Sequence, residues 1–338
     1  MSTARSTANI ALIKYWGNRN NELRLPAADS LSMTLDTPHV QVLGEEADQF
    51  SIESFEADGS RKILTKQQIE RLRKHRELTM QYLHTLDIDF RKNVALTIRS
   101  QIPSGIGLAS SAAVFSAIAE VFAGLIAEEH PLTREQISVI ARLGSGSAAR
   151  SVFGGFVALR NRATSNEQTS NGEIAGAFAE QIAPESHWVL HDIVIVPSLK
   201  EKKIGSTEGH ALAGTSPLFQ DRLKEIPRRM QECTDAILTK DFEKLQRVAE
   251  EDALDMHEVM RTSTPSLQYL SEETWHIIRE VEALRTRDHL EVLYTMDAGP
   301  TVHLFCTEDA REVVRSFANE QKGCTVFETK IGRGSELV

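Results

Sequence analysis

The sequence predicts an α+β protein built from two lobes, and three observations lead to this prediction. The chain of 338 residues exceeds the length of one average domain. Strand-like and helix-like segments occur in both halves, but they do not alternate as regularly as a doubly wound parallel sheet requires. No repeat of fixed period is visible in the sequence. We therefore place a boundary near residue 186 and expect an N-terminal lobe of residues 1–185 and a C-terminal lobe of residues 186–338.

In the first lobe, apolar or alternating runs predict the strands, and longer periodic segments predict the helices. The predicted strands cover residues 8–16, 30–36, 49–58 and 92–100, and a further strand starts at Gly155. One charged helix is predicted over 65–86, an Ala-rich helix after the Pro/Gly loop that begins at Pro103, and a third helix from Leu132. Residues 161–176 are rich in Asn, Ser, Thr, Gly and Glu, which predicts a surface loop.

The second lobe is predicted to contain more helix than strand. A strand opens it at residues 192–198, and helical patterns follow over 219–260 and 266–285. Residues 292–306 read as strand, turn and strand, and a last helix at 310–321 precedes a final strand at 325–331.

Composition excludes several classes of protein. Lys and Arg number 38 against 48 Asp and Glu, and the net charge of -10 has the wrong sign for a protein that binds nucleic acid. A small anionic substrate in a locally basic pocket remains compatible with this charge. The three cysteines, Cys233, Cys306 and Cys324, show no CxxC spacing, so neither a disulfide framework nor a zinc site is predicted. No segment reaches the roughly 18 apolar residues of a membrane-spanning helix, and we expect a cytoplasmic protein without a membrane partner.

The string PSGIGLASSA, residues 103–112, is the first candidate site. Its two glycines would let backbone N–H groups approach a ligand, and the following helix N-terminus favours an anion such as a phosphate. It matches neither the P-loop spacing nor GxGxxG. A plain helix start capped by Ser110 and Ser111 is the alternative interpretation.

Three further features are candidates for chemistry. GSGSAAR, residues 144–150, offers two hydroxyls and one guanidinium suited to a carboxylate or phosphate, although a turn with a surface arginine has the same pattern. TMDAGP, residues 295–300, places Asp297 as a possible general base, although such strings are often only turns. Lys14 ends an apolar run, where a solvated lysine is also common.

Together these strings resemble one family, the mevalonate diphosphate decarboxylases of the GHMP kinase superfamily. The matching strings, in chain order, are NIALIKYWG, LPAADSLSMTL, PSGIGLASSA, ARLGSGSAARS with GGFVAL, QIAPESHW, MHEVM and YTMDAGP. The resemblance implies a GHMP kinase fold, with a ribosomal-protein-S5-like N-terminal lobe that carries the ATP loop and a ferredoxin-like C-terminal lobe. It places the site in the cleft between the lobes, and we expect a homodimer.

The resemblance also implies a reaction and roles for residues. ATP phosphorylates the tertiary 3-hydroxyl of a mevalonate phosphate, and this phosphate then leaves as the carboxylate is lost as CO2. Asp297 matches the catalytic aspartate, Lys14 the lysine beside it, and Arg150 the arginine that holds the substrate carboxylate. The ATP loop matches Pro103, Gly105, Gly107, Leu108, Ala109, Ser110 and Ser111. Mg2+ is expected as a cofactor with ATP, without an assigned protein ligand.

The phosphate tail of the substrate is where this sequence departs from the family. Tyr15, Ser145 and Ser147 are kept, but Asn18 stands where the family typically has lysine in KYWGK. In KKIGSTEGH, Ser206 is followed by Thr207 where an arginine is typical. Two lost cations suggest a shorter, less charged tail, so we predict that mevalonate 5-phosphate is the substrate and isopentenyl phosphate the product.

Three alternatives stay open. The chain could be an ordinary mevalonate 5-diphosphate decarboxylase in which Arg19, Arg24, Lys202 or Lys203 replaces the lost cations. A mevalonate 3-kinase, which phosphorylates without decarboxylating, is disfavoured because Asp297, Lys14 and Arg150 are all present. A catalytically silent binding protein of this fold would be expected to have lost the aspartate or the ATP loop.

Overall fold

The computed structural model describes residues 1–90, 92–102, 110–162, 173–197 and 205–338, without the side chains of Ser206 and Thr207. The strands are β1 (Ser2–Ile13), β2 (Asn18–Asn20), β3 (Leu25–Pro26), β4 (Ser30–Ala47), β5 (Ser51–Phe55), β6 (Asn93–Ser100), β7 (Phe156–Asn161), β8 (Ala177–Ala183), β9 (His191–Val196), β10 (Val292–Thr295), β11 (Val302–Cys306), β12 (Thr325–Lys330) and β13 (Glu336–Leu337). The helices are α1 (Lys66–Thr85), α2 (Ser110–Ile126), α3 (Arg134–Gly144), α4 (Ala148–Ser151), α5 (Ser206–Leu212), α6 (Phe219–Thr239), α7 (Phe242–Thr262), α8 (Glu272–Asp288) and α9 (Glu308–Glu320).

The first sheet holds seven of the described strands. Its main path runs β13-β1-β4-β6-β5, and β7 joins β4 to β8. The Ala-rich helix α2 packs on β1 and β4 and buries nearly all of its length, since small side chains let it lie close to the sheet. Helix α3 starts with a capping box between Thr133 and Gln136 and packs on α2.

The second sheet has the order β10-β11-β9-β12 and is antiparallel throughout. Helices α8 and α9 pack on it, and α7 contacts both β10 of this sheet and β1 of the first. Because α7 bridges the two sheets, it brings side chains of the C-terminal half to the end of β1. The active-site candidates lie at this junction.

Several elements differ from the sequence prediction. The single helical stretch predicted over 219–260 is two helices, because Lys240 adopts a left-handed conformation with φ 57° and Asp241 then caps α7 by accepting from the Lys244 N–H. The predicted strands at 8–16 and 30–36 are the visible parts of the longer β1 and β4. The sequence analysis missed the short pair β2 and β3, the strands β8 and β13, and the helix α5.

The predicted division after residue 185 falls between β8 and β9, where the chain passes from the first sheet to the second. It stays a prediction, because β13 returns to pair with β1 in the first sheet. Among the described helices, none has the length and apolar character needed to cross a membrane.

Candidate active site

A cavity of about 250 Å³ lies at the junction of the two sheets. It brings together most of the described residues that the sequence singled out. Those that line it are Lys14, Tyr15, Asn18, Ser111, Ser145, Ser147, Arg150 and Asp297. The elements that supply them are far apart in the sequence, so the fold, and not local sequence, assembles this site.

Lys14 and Asp297 form an ion pair in the cavity. Lys14 follows the last residue of β1, Asp297 lies in the turn between β10 and β11, and Nζ is 2.9 Å from Oδ1. The lysine side chain is 1% exposed and the aspartate side chain 33% exposed, so the carboxylate faces the cavity. Burial acts to raise the pKa of Asp297, but Lys14, His303 and Arg150 outweigh it and hold that pKa below its usual value. Asp297 is therefore ionised at neutral pH.

Two helices of the C-terminal half hold the backbone of Lys14. Its N–H donates to Oδ2 of Asp252 on α7 at 2.6 Å, and Arg222 on α6 donates to its carbonyl oxygen at 3.3 Å. Arg222 also donates to the same Asp252 oxygen at 3.0 Å. Asp252 and Arg222 are buried, so they fix the backbone from which the Lys14 side chain extends.

Arg150 on the short helix α4 is a buried guanidinium with neutral partners. Its Nε donates to Asn9 at 3.2 Å and its Nη1 to Ser30 at 2.6 Å. Burial lowers its pKa to about 10, which leaves it charged at neutral pH. Within the described residues it has no carboxylate at ion-pair distance, so it can receive the carboxylate of a ligand.

A row of hydroxyls crosses the cavity wall. The Oγ atoms of Ser111 and Ser145 are 3.2 Å apart, and those of Ser145 and Ser147 are 3.4 Å apart. Gly146, which stands between Ser145 and Ser147 in the chain, lies against the ring of Tyr15, where an added Cβ would come within 2.3 Å of a ring carbon. Gly146 is therefore required for the close approach of α4 to the KYWG segment.

Asn18 is held by its neighbours. The Tyr15 hydroxyl donates to its Oδ1, and its Nδ2 donates to Asn21 at 3.0 Å.

His210, which the sequence analysis did not single out, packs against Tyr15 and Trp16 with ring centroids 4.3 and 4.6 Å away. Its Nδ1 accepts from the Gly17 N–H, and burial with nearby Arg150 and Arg24 lowers its pKa to about 3. This imidazole is neutral, with its proton on Nε2.

Two arginines at the Asn18 end of the cavity change the charge expected there. Arg24 donates to the carbonyl oxygen of Leu143 at 2.8 Å, and Arg71 donates to that of Gly144 at 3.1 and 2.9 Å. In the part of the chain that the structure describes, neither forms an ion pair with a carboxylate. The sequence analysis named Arg24 as one possible replacement for the two lost cations, and the structure places both Arg24 and Arg71 at this end of the cavity. Arg71 lies on α1, far from every motif, so no local signal pointed to it.

The remaining predicted site residues divide into two groups. Ser110 is exposed at the start of α2 and does not line the cavity, whereas Ser111 does. The others lie outside the described residues: Pro103, Gly105, Gly107, Leu108 and Ala109, together with the side chains of Ser206 and Thr207. The ATP loop and the role of Ser206 and Thr207 therefore stay predictions.

Comparison with known proteins identifies the family. Residues 6–171 match the diphosphomevalonate decarboxylase-like N-terminal domain, and residues 192–333 match the mevalonate 5-diphosphate decarboxylase C-terminal domain. The chain belongs to the diphosphomevalonate decarboxylase family. The resemblance stated from the motifs and the GHMP kinase fold expected from it are confirmed, and so is the expected enzyme class, an ATP-dependent carboxy-lyase.

Similar proteins cover nearly the whole chain. The diphosphomevalonate decarboxylase of Candida albicans is 35% identical in an alignment of 337 positions that covers 96% of this chain and 89% of the relative. That of Debaryomyces hansenii is 33% identical over 97% of this chain and 86% of its own, and that of Homo sapiens 32% over 91% and 77%. The relatives' names favour the diphosphate alternative over the 5-phosphate prediction.

Solved structures agree with this placement. The mevalonate diphosphate decarboxylase of Staphylococcus aureus has a TM-score of 0.84 at 27% identity and covers 100% of this chain and 97% of its own. That of Enterococcus faecalis, described with a mevalonate diphosphate mediated ATP binding mechanism, has a TM-score of 0.83 at 26% identity, with coverages of 100% and 98%.

Proposed function

We propose that this protein catalyses the ATP-dependent decarboxylation of mevalonate 5-diphosphate. The observation that carries the proposal is the meeting, in one cavity, of the hydrogen-bonded Lys14–Asp297 pair and the buried guanidinium of Arg150. An acid–base group, a cation beside it and a carboxylate receptor are what phosphorylation at a tertiary hydroxyl followed by decarboxylation requires.

Asp297 and Lys14 serve the first step. The Asp297 carboxylate accepts or orients the proton of the 3-hydroxyl, whose oxygen forms a bond to the γ-phosphorus while ADP leaves. Lys14 keeps the carboxylate ionised at 2.9 Å and offsets negative charge on the phosphoryl group in transfer. Asp252 and Arg222 fix the lysine backbone, and burial of the side chain leaves the ammonium little room to move during the reaction.

Arg150 serves the second step by orienting the substrate carboxylate. The 3-phosphate leaves with the electrons of its C–O bond, and the bond to the carboxylate carbon breaks to give CO2 and a carbon–carbon double bond. Since Asn9 and Ser30 fix the guanidinium plane, its free N–H groups have a defined direction. Aligning the breaking C–C bond with the leaving group is the contribution expected of this arginine.

ATP and Mg2+ are part of the proposal. The hydroxyl of Ser111 lines the cavity at the N-terminal turn of α2, a place suited to a nucleotide phosphate. The described residues contain no group of three or more His, Cys, Asp and Glu side chains arranged to hold a metal ion. Phosphate oxygens and water would therefore supply most ligands of a Mg2+ ion here, as is common for this cation. One similar solved structure is described as a complex with MVAPP, AMPPCP and magnesium.

The two arginines near Asn18 and the names of the relatives support a diphosphate tail. A second candidate substrate, mevalonate 5-phosphate, is favoured by Asn18 itself. Both ends of its amide are engaged by Tyr15 and Asn21, so this position offers no positive charge to a second phosphate. A homodimer in the cytoplasm also stays a proposal, and light scattering on the purified protein tests the dimer.

Kinetics with both substrates test the proposal. Purified protein with ATP and Mg2+ is given equal concentrations of mevalonate 5-diphosphate and mevalonate 5-phosphate, and each product is quantified. The proposal expects the larger kcat/KM for the diphosphate, whereas a larger value for the 5-phosphate would establish the second candidate. Release of ADP without CO2 would instead indicate a 3-kinase and overturn both.

A further inference from the structure

Arg24 has a backbone conformation that its side chain does not favour. Its φ of 49° lies in the left-handed region, which Gly, Asn and Asp adopt far more readily than Arg. Such a residue costs free energy of folding, and it is found both at helix ends, as for Lys240, and at binding sites. The side chain of Arg24 lines the cavity that holds Lys14 and Asp297.

The contacts of Arg24 leave most of its guanidinium available. Its Nη1 donates to the carbonyl oxygen of Leu143 in the last turn of α3, a favourable place for a cation. Within the described residues, no carboxylate lies within ion-pair distance of it. The remaining N–H groups can therefore bond to an anion in the cavity.

Arg71 makes the same end of the cavity more positive. It donates to the carbonyl oxygen of Gly144, the residue after the one that Arg24 contacts. Burial, together with the positive charge of Arg24, lowers the pKa of Arg71 to about 10. Capping one helix end does not require two neighbouring guanidinium groups that repel each other. Two such groups without a carboxylate partner are what a site for a phosphate tail would contain.

We propose that Arg24 binds the terminal phosphate of the substrate and supplies the positive charge that Asn18 does not. The inference rests on the proposed function, in which the substrate carries a 5-phosphate or 5-diphosphate tail. Arg24 is then a specificity-determining residue of the tail site. Its backbone strain is maintained because a side chain entering from this turn reaches the cavity next to Tyr15 and Ser145.

The variant Arg24→Asn tests the inference. Asparagine tolerates a positive φ, so the change removes the charge without adding backbone strain. The matched control is Arg19→Gln, which removes the same charge from the same segment. Arg19 is exposed, lies 3.8 Å from Glu173 and does not line the cavity.

The first readout is calorimetric binding of inorganic pyrophosphate to the full chain without nucleotide. Arg24→Asn is expected to weaken this binding about 10- to 100-fold, because bonds to a charged group are lost, while Arg19→Gln stays within about twofold of wild type. Thermal unfolding of Arg24→Asn is expected within a few degrees of wild type, because relief of the backbone strain offsets the lost bond to the Leu143 carbonyl oxygen. An arginine with only a structural role predicts unchanged pyrophosphate binding whatever the change in stability.

The second readout is turnover of mevalonate 5-diphosphate, for which Arg24→Asn should raise KM by the same factor and change kcat little. Wild type that does not bind pyrophosphate, or an Arg24→Asn variant that binds it equally well, would overturn the inference. Pyrophosphate binding that depends on Arg24, in a protein that does not decarboxylate the substrate, would uphold the inference and reject the proposed function.

Discussion

Replacing Arg150 with lysine keeps the positive charge but removes the planar guanidinium fork, so Arg150→Lys separates the contribution of the charge to activity from that of the fork. In the structure, Nε and Nη1 are used by Asn9 and Ser30, and the rest of the fork is available for the substrate. A lysine has one nitrogen for all three tasks. If its ammonium turns to the substrate carboxylate, the Oδ1 of Asn9 loses its only donor among the described residues. If it stays with Asn9 and Ser30, the carboxylate is left without its partner.

The magnitude follows from this count of bonds. A hydrogen bond to a charged group contributes about 1.5 to 3 kcal/mol, so loss of one to the substrate should lower kcat/KM about 10- to 150-fold. Because burial already lowers the pKa of Arg150, a lysine there should also lose its proton at a lower pH than an ordinary lysine. The activity of Arg150→Lys should therefore fall at alkaline pH where wild type does not.

The assay is steady-state release of ADP and CO2 as a function of pH, with Arg261→Lys as the control. Arg261 is paired with Glu258 on an exposed surface of α7, so its replacement should leave activity unchanged. An Arg150→Lys variant within about threefold of wild type at all pH values would refute the argument that the planar fork is required.

Three other variants test separate parts of the site. Asp297→Asn should lower kcat at least about a thousandfold, while the nucleotide affinity measured by calorimetry should change less than about threefold. Substantial residual turnover would show that this carboxylate is not the acid–base group. Lys14→Met should move the acidic limb of the kcat/KM profile to higher pH. Lys14 helps to hold the pKa of Asp297 down, so without it the carboxylate becomes protonated, and the enzyme inactive, at a higher pH. An acidic limb at the wild-type pH would contradict the ion pair. Asp252→Asn should lower the free energy of unfolding by about 1.5 to 3 kcal/mol in urea titrations, because the buried Arg222 and Arg229 lose that charge but keep their ion pairs with Asp255. A change below about 0.5 kcal/mol would show that the network is not needed.

The sequence predicted the residues of the proposed catalytic centre better than those of the proposed tail site. Lys14, Arg150 and Asp297 each lie within one of the strings that match the family, and the structure brings all three to one cavity. Their proximity was implied by the resemblance and could not be read from the sequence around each residue, because β1, α4 and the β10–β11 turn are far apart in the chain.

The tail site depends on residues that only the tertiary structure selects. Arg71 belongs to a helix rich in charges, and nothing in that pattern distinguishes it from its exposed neighbour Arg73. Arg24 was only one of several possible substitutes for the lost cations. Its left-handed backbone conformation could not be predicted, because the position holds neither a glycine nor an asparagine. His210 lies on α5, a short helix that was itself missed.

The same limits explain the errors in secondary structure. The break between α6 and α7 depends on Lys240 in a left-handed conformation, for which lysine gives no signal. Strand β13 has two residues and exists because β1 offers an open edge to the returning chain. Long, periodic segments such as α7 were recognised because the apolar face that they bury is written in their spacing.

The most direct test of the proposed reaction follows carbon and phosphate together. Wild-type protein is mixed with ATP, Mg2+ and carboxyl-labelled mevalonate 5-diphosphate, and labelled CO2, ADP and inorganic phosphate are measured in the same samples. The account predicts that the three appear in equal amounts, and that Asp297→Asn abolishes all of them together. ADP formed without labelled CO2, or labelled CO2 formed without ATP, would contradict it.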